Sequence, residues 1–342
     1  MTVRPFRDGD EEHWRAFVGA RPESRVGHRI EWRSVLAESF GHRPRYLIAE
    51  REGRIAGVLP LVRVEGLVGG RALVSLPWLD DAGPLAEDAD TERALLRRAV
   101  EIGREERCRY VEIRSLRDLG EPRPVREGKT TLLLELDDPE RMWNGFPAKV
   151  RNQIRKAEKE GLVAESGGAE LLDPFYRVFS RNMRDIGVPV WGRDFFKRMA
   201  AAFGPSMEVI VVREEGETPV GGCVLLRHGE TAVVPSASSL RDRFRLCPNH
   251  LLYWTAIRRA REGGASVFDF GRSTAGSGTY RFKKQWGAAP VPCRWHYALL
   301  RADAVPERST ASRKLRLFVE AWKRLPLPLA RWLGPVIVRR IP

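Results

Sequence analysis

Ala94-Leu95-Leu96-Arg97-Arg98-Ala99 and the run Tyr110-Val111-Glu112-Ile113-Arg114 reappear, in pattern, as His250-Leu251-Leu252-Tyr253-Trp254-Thr255 and Ser266-Val267-Phe268-Asp269-Phe270. The two copies lie about 156 residues apart, too long an interval for a solenoid repeat and a suitable one for a duplicated domain. A chain of 342 residues with 43% hydrophobic residues has material for two such cores. The repeat therefore predicts one mixed module built twice.

In the first half, Thr2 to Arg7 reads as a strand, and Trp32, Val35, Leu36 and Phe40 form a helical stripe that stops at Gly41. Tyr46 to Ala49 and Ile55 to Val62 read as a hairpin through Arg51-Glu52-Gly53-Arg54. A helix from about Thr91 presents Leu95, Leu96, Ala99 and Gly103, and the strand Tyr110 to Ile113 follows. The second half repeats the order: Val209 to Val212, the turn Glu215-Gly216-Glu217, Val220 to Leu226, Thr231 to Val234, a helix from Pro248-Asn249 with Leu252, Ala256 and Ala260 on one face, and Val267 to Phe270. The break falls in Leu119-Gly120-Glu121-Pro122-Arg123-Pro124. This gives a first domain over 1–122, a second over 123–300 with a helical insertion at about 140–205, and a tail over 301–342. The insertion holds a helical stretch from Met142 to Gly161, crowded with Lys149, Arg151, Arg155, Lys156 and Lys159, and two more helices near 175–185 and 194–203.

Charged residues fill the first positions, where a signal peptide needs an apolar core, and no apolar run approaches the roughly 20 residues of a spanning helix. The expected location is cytoplasmic, with the inner face of the membrane as a further possibility. Cys108, Cys223, Cys247 and Cys293 are scattered and read as small buried residues. The six histidines show no HxxxH or HExxH spacing, so no metal is expected. The net charge of +14 attracts phosphates, acidic lipids and nucleic acid without naming one. Half of it sits after residue 300, where ten Lys/Arg oppose three Asp/Glu and alternate with Leu, Phe and Trp. Such a tail either packs as a helix with a solvated basic face or lies on an anionic membrane.

The chemistry is expected in Phe268-Asp269-Phe270-Gly271-Arg272-Ser273 and Gly276-Ser277-Gly278-Thr279-Tyr280-Arg281-Phe282-Lys283-Lys284-Gln285-Trp286-Gly287. An apolar strand ends in a carboxylate, opens into a glycine-rich loop and returns as an aromatic segment with adjacent lysines, one buried and one solvated if they flank a strand. The loop is not a P-loop, because Ser277 stands where lysine is required.

With Val150 to Ala157, Asn182-Met183-Arg184-Asp185 and Pro248-Asn249, this run resembles the FemAB family, and more narrowly the FemAB-related proteins of exosortase (XrtA)/PEP-CTERM and exopolysaccharide loci. The resemblance covers the chain to about Leu300 and implies an α/β fold of tandem GNAT-like (acyl-CoA N-acyltransferase) domains, each a mixed, mostly antiparallel sheet flanked by helices. It implies transfer of an acyl or aminoacyl group, from aminoacyl-tRNA or an acyl-CoA, to an amine or hydroxyl acceptor, and the basic helix of Arg151, Arg155 and Lys156 either pairs with the phosphate of a lipid-linked or tRNA substrate or is a solvated face. Phe282-Lys283 matches the family's phenylalanine-lysine pair, whose lysine contacts substrate and stabilises charge during transfer. A preplaced ammonium in a dry cleft does this for the oxygen of an attacked carbonyl. Asp269 is then a candidate base or the partner of Arg272, and His250 a second candidate base. Arg272, Ser273, Tyr280, Phe282, Lys284 and Asn249 are expected to bind substrate, with Arg151 and Arg155 for a phosphate and Asn182 and Trp191 for the acceptor. Neither half shows the Arg/Gln-x-x-Gly-x-Gly/Ala turn of CoA-dependent members, since Val68 breaks the match begun at Arg63, and this tilts the donor away from CoA. A non-catalytic basic scaffold at a membrane surface, or a nucleic-acid-binding module, is the alternative reading.

Overall fold

The computed structural model describes residues 1–66, 70–120, 124–215, 217–306 and 313–341. Val68, Gly216 and residues 121–123, used above for a phosphate turn, a hairpin turn and a linker, lie outside the described residues. The chain forms two compact units: Met1–Thr131 with Val291–Glu307 and Arg339–Pro342, and Leu132–Pro290 with Arg308–Val338. The division thus falls nearer Thr131 than the proline-rich linker, and the tail is shared between the units instead of standing apart.

Unit 1 opens with β1 (Thr2–Pro5), α1 (Glu11–Gly19) and α2 (Glu31–Phe40), and continues through β2 (Arg43–Pro44), β3 (Leu47–Arg51), β4 (Arg54–Leu59), β5 (Val62–Glu65), β6 (Arg71–Val74) and β7 (Leu85–Ala86) to α3 (Ala89–Glu105) and β8 (Tyr110–Ser115). Gly41 ends α2 in the left-handed region at φ 68°, as a C-terminal glycine does. Glu52 and Gly53 both take positive φ in the tight β3–β4 turn. The apolar run expected from Ile55 to Val62 is two strands, because Pro60 has no N–H to place in a ladder. β1, β3, β4 and β7 pair antiparallel, as do β2, β5 and β6, whereas β6 and β8 run parallel. Leu95, Leu96, Ala99 and Ile102 of α3 seal the core against Leu47, Leu59, Leu73 and Val111.

In unit 2 the order is β9 (Val125–Glu135, which begins in unit 1), α4 (Pro139–Gly145), α5 (Ala148–Lys159), β10 (Leu162–Gly167), α6 (Leu172–Asp185), α7 (Arg193–Phe203), β11 (Met207–Glu214), β12 (Thr218–His228), β13 (Thr231–Ser239), α8 (Pro248–Glu262), β14 (Val267–Asp269) and α9 (Gly278–Lys284). The stretch read as one helix from Met142 is broken into α4 and α5 at Pro147. The sheet order is β10-β11-β12-β13-β14-β9, antiparallel apart from the β13–β14 pair. The segment after Ser277 is a helix rather than a strand, since the Ser277 hydroxyl accepts the Tyr280 N–H at 3.2 Å and caps it. β15 (Ala289–Leu299) then leaves unit 2 and pairs through Arg294–Leu299 with β8 of unit 1.

The tail forms α10 (Arg313–Lys323) and α11 (Leu327–Val338), which pack on α6. Arg184 donates to the Leu325 carbonyl at 2.9 Å and Arg331 to the Ser180 hydroxyl at 3.0 Å. Gly334 touches the chain at Val190 so closely that a Cβ would stand 2.2 Å from its carbonyl oxygen. Among the described residues no helix is long and apolar enough to cross a membrane. Cys108, Cys223 and Cys293 are buried, Cys247 is half-buried, and none is in a disulfide.

In unit 1, buried His28 joins two loops: its Nδ1 accepts the Arg25 N–H at 2.9 Å, and its Nε2 lies 3.0 Å from the Gly83 carbonyl, which makes Nε2 the protonated nitrogen. Burial lowers its pKa from 6.5 to about 4. The unfolded chain therefore takes up a proton at a higher pH than the folded one, so stability is level above about pH 6.5 and declines as the pH falls to about 4. At about 1.4 kcal/mol per unit this one imidazole accounts for a loss on the order of 3 kcal/mol. Urea unfolding across that range should show the decline, and His28→Gln, itself less stable, should flatten it. An unchanged slope in the variant would assign the decline to other groups.

Candidate functional site

The parallel pair β13–β14 lasts only three residues, Thr231↔Val267, Ala232↔Phe268 and Val233↔Asp269. β13 continues to Ser239 beside β12, while the other chain turns away after Asp269 into the loop 270–277. Gly271 makes that departure possible. It has φ 72°, and a Cβ there would lie 2.9 Å from the Val234 carbonyl oxygen, so both the conformation and the space require glycine.

Two opposite charges hold this residue. Asp269 Oδ1 accepts the Gly271 N–H at 2.7 Å, while the Lys283 ammonium donates to the Gly271 carbonyl at 2.8 Å and the Arg272 carbonyl at 3.1 Å. Lys283 reaches back from α9 and is 8% exposed; Lys284 beside it is solvated, its ammonium 6.0 Å from the Tyr280 ring centre. Arg272 is exposed, and Ser273 is buried with no hydrogen-bond partner for its hydroxyl. The expected meeting of carboxylate, glycine loop and lysine is present. The ammonium, however, also holds the loop together, so truncating it removes a charged donor from two carbonyls as well as a charge from the site.

Asn249 and His250 open α8 next to α9. Asn249 Oδ1 accepts the Ser239 hydroxyl at 2.8 Å. His250 Nε2 lies 3.1 Å from the Gln285 amide nitrogen, a donor, which leaves the ring proton on Nδ1, a buried atom without a partner. Burial, with a smaller effect of the Lys149 charge, lowers the His250 pKa to about 4. The ring is therefore neutral at physiological pH and a weak base there. Phe282 packs edge-on to His250 with centroids 5.0 Å apart and against Tyr253 at 5.4 Å, so it buttresses the α8–α9 contact.

The remaining candidates are distributed over both faces of the sheet. Arg151 is half-buried on α5 with an unpartnered Nε, and Arg155 covers the Trp143 ring at 5.3 Å, so this helix is not simply a solvated basic face. α5 packs on α8, and Phe146 just before it meets Trp286 at 5.2 Å. Asn182 donates to the Ser238 hydroxyl at 3.0 Å. Ser238 and Ser239 are successive strand residues and point to opposite faces. Their partners agree: Gly222 beside Ser238 touches Phe175 of α6, and Gly221 beside Ser239 faces Pro248 of α8. Asn182 and α6 thus lie across the sheet from Asn249, His250 and α8. Trp191 belongs with Phe179, Phe195 and Phe196 in an aromatic cluster of α6 and α7, and its carbonyl accepts the Tyr176 hydroxyl. Asn182 and Trp191 thus belong with α6 and α7, and Asn249 and His250 with α8.

The turn between β13 and α8 was overlooked in the sequence. Arg241-Asp242-Arg243-Phe244-Arg245-Leu246 forms a 3-10 turn ahead of Cys247, which takes φ 60°, and Pro248. Arg241 and Arg245 are exposed, and Phe244 between them is 48% exposed. The amides of Arg243, Cys247 and His250 are already bonded to the carbonyls of Leu240, Phe244 and Cys247. The signal was legible as arginines alternating around an aromatic residue just before a helix start.

Residues 146–284 match the family model described as "Acetyltransferase (GNAT) domain". Over 141 residues the chain is 23% identical to the UDP-N-acetylmuramoylpentapeptide-lysine N(6)-alanyltransferase of Weissella viridescens, a match spanning 41% of each chain. Among solved structures, FemX superposes with a TM-score of 0.68 at 15% identity, covering 88% of this chain and 98% of FemX. A tandem GNAT protein from the clavulanic acid biosynthesis pathway gives 0.57 at 14% identity, covering 90% and 99%.

Gly271→Ala should destabilise unit 2 by about 1–2 kcal/mol or more, from the left-handed conformation and the Val234 contact together. Urea unfolding checks this, and an unchanged midpoint would show that the loop does not need glycine. Residues 146–284 match a GNAT acetyltransferase domain model, and the fold is that of FemX and of tandem GNAT proteins.

Proposed function

We propose that this chain transfers an acyl or aminoacyl group to an amine or hydroxyl acceptor in cell-envelope or exopolysaccharide biosynthesis, the latter in keeping with its resemblance to proteins of PEP-CTERM loci. The observation that carries the reading is the Gly271 residue held between Asp269 and the buried Lys283 ammonium, where the two parallel strands part. The GNAT domain match and the alanyltransferase relative support the reaction class.

In the reaction the acceptor nitrogen or oxygen attacks the carbonyl carbon of the donor ester or thioester. The bond to the leaving oxygen or sulfur breaks, and that atom takes up the proton which the acceptor gives up. Lys283 supplies a desolvated positive charge to the carbonyl oxygen while negative charge grows there. Asp269 either receives the acceptor's proton in transit or fixes the loop through the Gly271 N–H. Neutral His250, whose Nε2 accepts from the Gln285 amide, serves this region as a packed ring rather than as the base.

The donor favoured is an aminoacyl-tRNA over an acyl-CoA. The turn before α8 is glycine-free, and the amides of Arg243, Cys247 and, in the first turn of α8, His250 are already bonded, so a pyrophosphate finds little open backbone there. Arg241, Phe244 and Arg245 instead offer exposed guanidinium groups and a ring, which suit a single-stranded, phosphate-bearing end. The acceptor is placed in the lipid-linked or phosphate-bearing class, at the cytoplasmic face of the membrane.

Purified protein given alanyl-tRNA or acetyl-CoA with amine and hydroxyl acceptors should yield a mass increase on the acceptor. Lys283→Ala should lower that transfer on the order of a hundredfold or more, with melting recorded alongside to separate loosening of the loop from loss of the charge. Asp269→Asn retains an oxygen for the Gly271 N–H while removing the charge, so with melting recorded alongside, the folded variant should lose rate if the carboxylate takes the proton and keep it if the residue only fixes the loop. Full transfer by the folded Lys283→Ala protein would remove the assignment. Absence of transfer from every donor would remove the reaction class.

A further inference from the structure

The last two helices carry an apolar surface facing solvent on unit 2. On α11, Ala330, Gly334 and Val338 recur every four residues and are buried. Leu329, Trp332 and Val336, spaced three and four apart on another side of the helix, are exposed, Trp332 by 71%. α10 adds Leu317, 63% exposed, and Phe318. Exposed Ile186 and Val188 flank Gly187, which approaches Val319 of α10 so closely that a Cβ would fall 2.5 Å from its Cγ1. Seven large apolar side chains therefore crowd the two helices and the loop between α6 and α7, a concentration that a solvated surface does not ordinarily carry.

The charge beside this surface is mostly positive, the exposed Glu320 of α10 being paired with Lys323 at 2.6 Å. From Ala321 to the last residue there are five Lys/Arg and no Asp or Glu. Arg316 within α10 and Arg324 just after it are exposed. At 12 residues α11 is about 18 Å long, too short to span a bilayer but long enough to lie along one. Exposed aromatic and aliphatic groups bordered by an excess of cations suit the headgroup layer of an anionic membrane.

We propose that α10 and α11 dock along the surface of an anionic lipid bilayer, with Leu329, Trp332 and Val336 entering the headgroup region and Arg316 and Arg324 meeting lipid phosphates. The proposal rests on these helices and not on the transfer reaction. The full-length protein is sedimented with vesicles of phosphatidylcholine alone and of phosphatidylcholine mixed with phosphatidylglycerol. Binding to the mixed vesicles should be at least about tenfold stronger and should weaken with salt. Leu329→Glu/Trp332→Glu/Val336→Glu should cut it by about tenfold or more, with circular dichroism and transfer to a dissolved acceptor unchanged. Trp332→Ser alone, the milder variant should the triple one misfold, should give a smaller loss of the same kind. Equal binding by the folded variants, or no binding of the wild type to anionic vesicles, would overturn the proposal. So would a dimer in size-exclusion chromatography that the triple variant dissolves, since the face would then belong to a second copy.

Discussion

The backbone of Gly271 is gripped at both ends, its N–H by a carboxylate and its carbonyl by a buried ammonium. Much of the candidate site follows from that grip. It turns the chain out of the parallel register with β13, sets the exposed Arg272 and the buried Ser273 in place, and brings α9 back beside α8. A lysine so deeply placed is tolerated because carbonyl oxygens replace the water it has lost. The same arrangement keeps the positive charge dry, and a dry charge acts strongly on a nearby carbonyl under attack.

The helices around this loop are set by small residues as much as by large ones. Gly221 and Gly222 on β12 let α8 and α6 approach opposite faces of one sheet, with Pro248 on one side and Phe175 on the other. Polar bonds then fix each helix to β13, Asn249 to Ser239 and Asn182 to Ser238. Two consecutive serines thus serve two different layers of unit 2.

Much of the architecture was legible because it depends on local pattern. The stripe of α3, the Glu52-Gly53 turn and the strand-strand-strand-helix-strand order of unit 2 follow from periodicities that survive in a single sequence. The meeting of Asp269 with Lys283 was legible because a short loop joins them. Less was legible where one residue changes the state of a segment: Pro60 splits a strand, Pro147 splits a helix, and Ser277 converts an expected strand into α9. Asn182 and Trp191 were grouped with the site because a sequence gives no sign of which face of a sheet a neighbouring helix will cover. The arginines around Phe244 in the Arg241–Leu246 turn were legible as a pattern, whereas their exposure, which gives the pattern its interest, was not.

Unit 1 is assembled from separated pieces of the chain. Glu112 and Arg114 of β8 form a fully buried ion pair at 2.7 Å; the Tyr297 hydroxyl donates to Glu112 at 2.9 Å, and the Arg114 guanidinium lies 4.5 Å from the Trp295 ring centre. Both aromatic residues belong to β15, which in synthesis order follows the whole Leu132–Pro290 part of unit 2. A nascent chain therefore carries two charges awaiting their cover while about 180 further residues are translated. Vectorial synthesis gives the Leu132–Pro290 part of unit 2 the opportunity to settle before unit 1 can close.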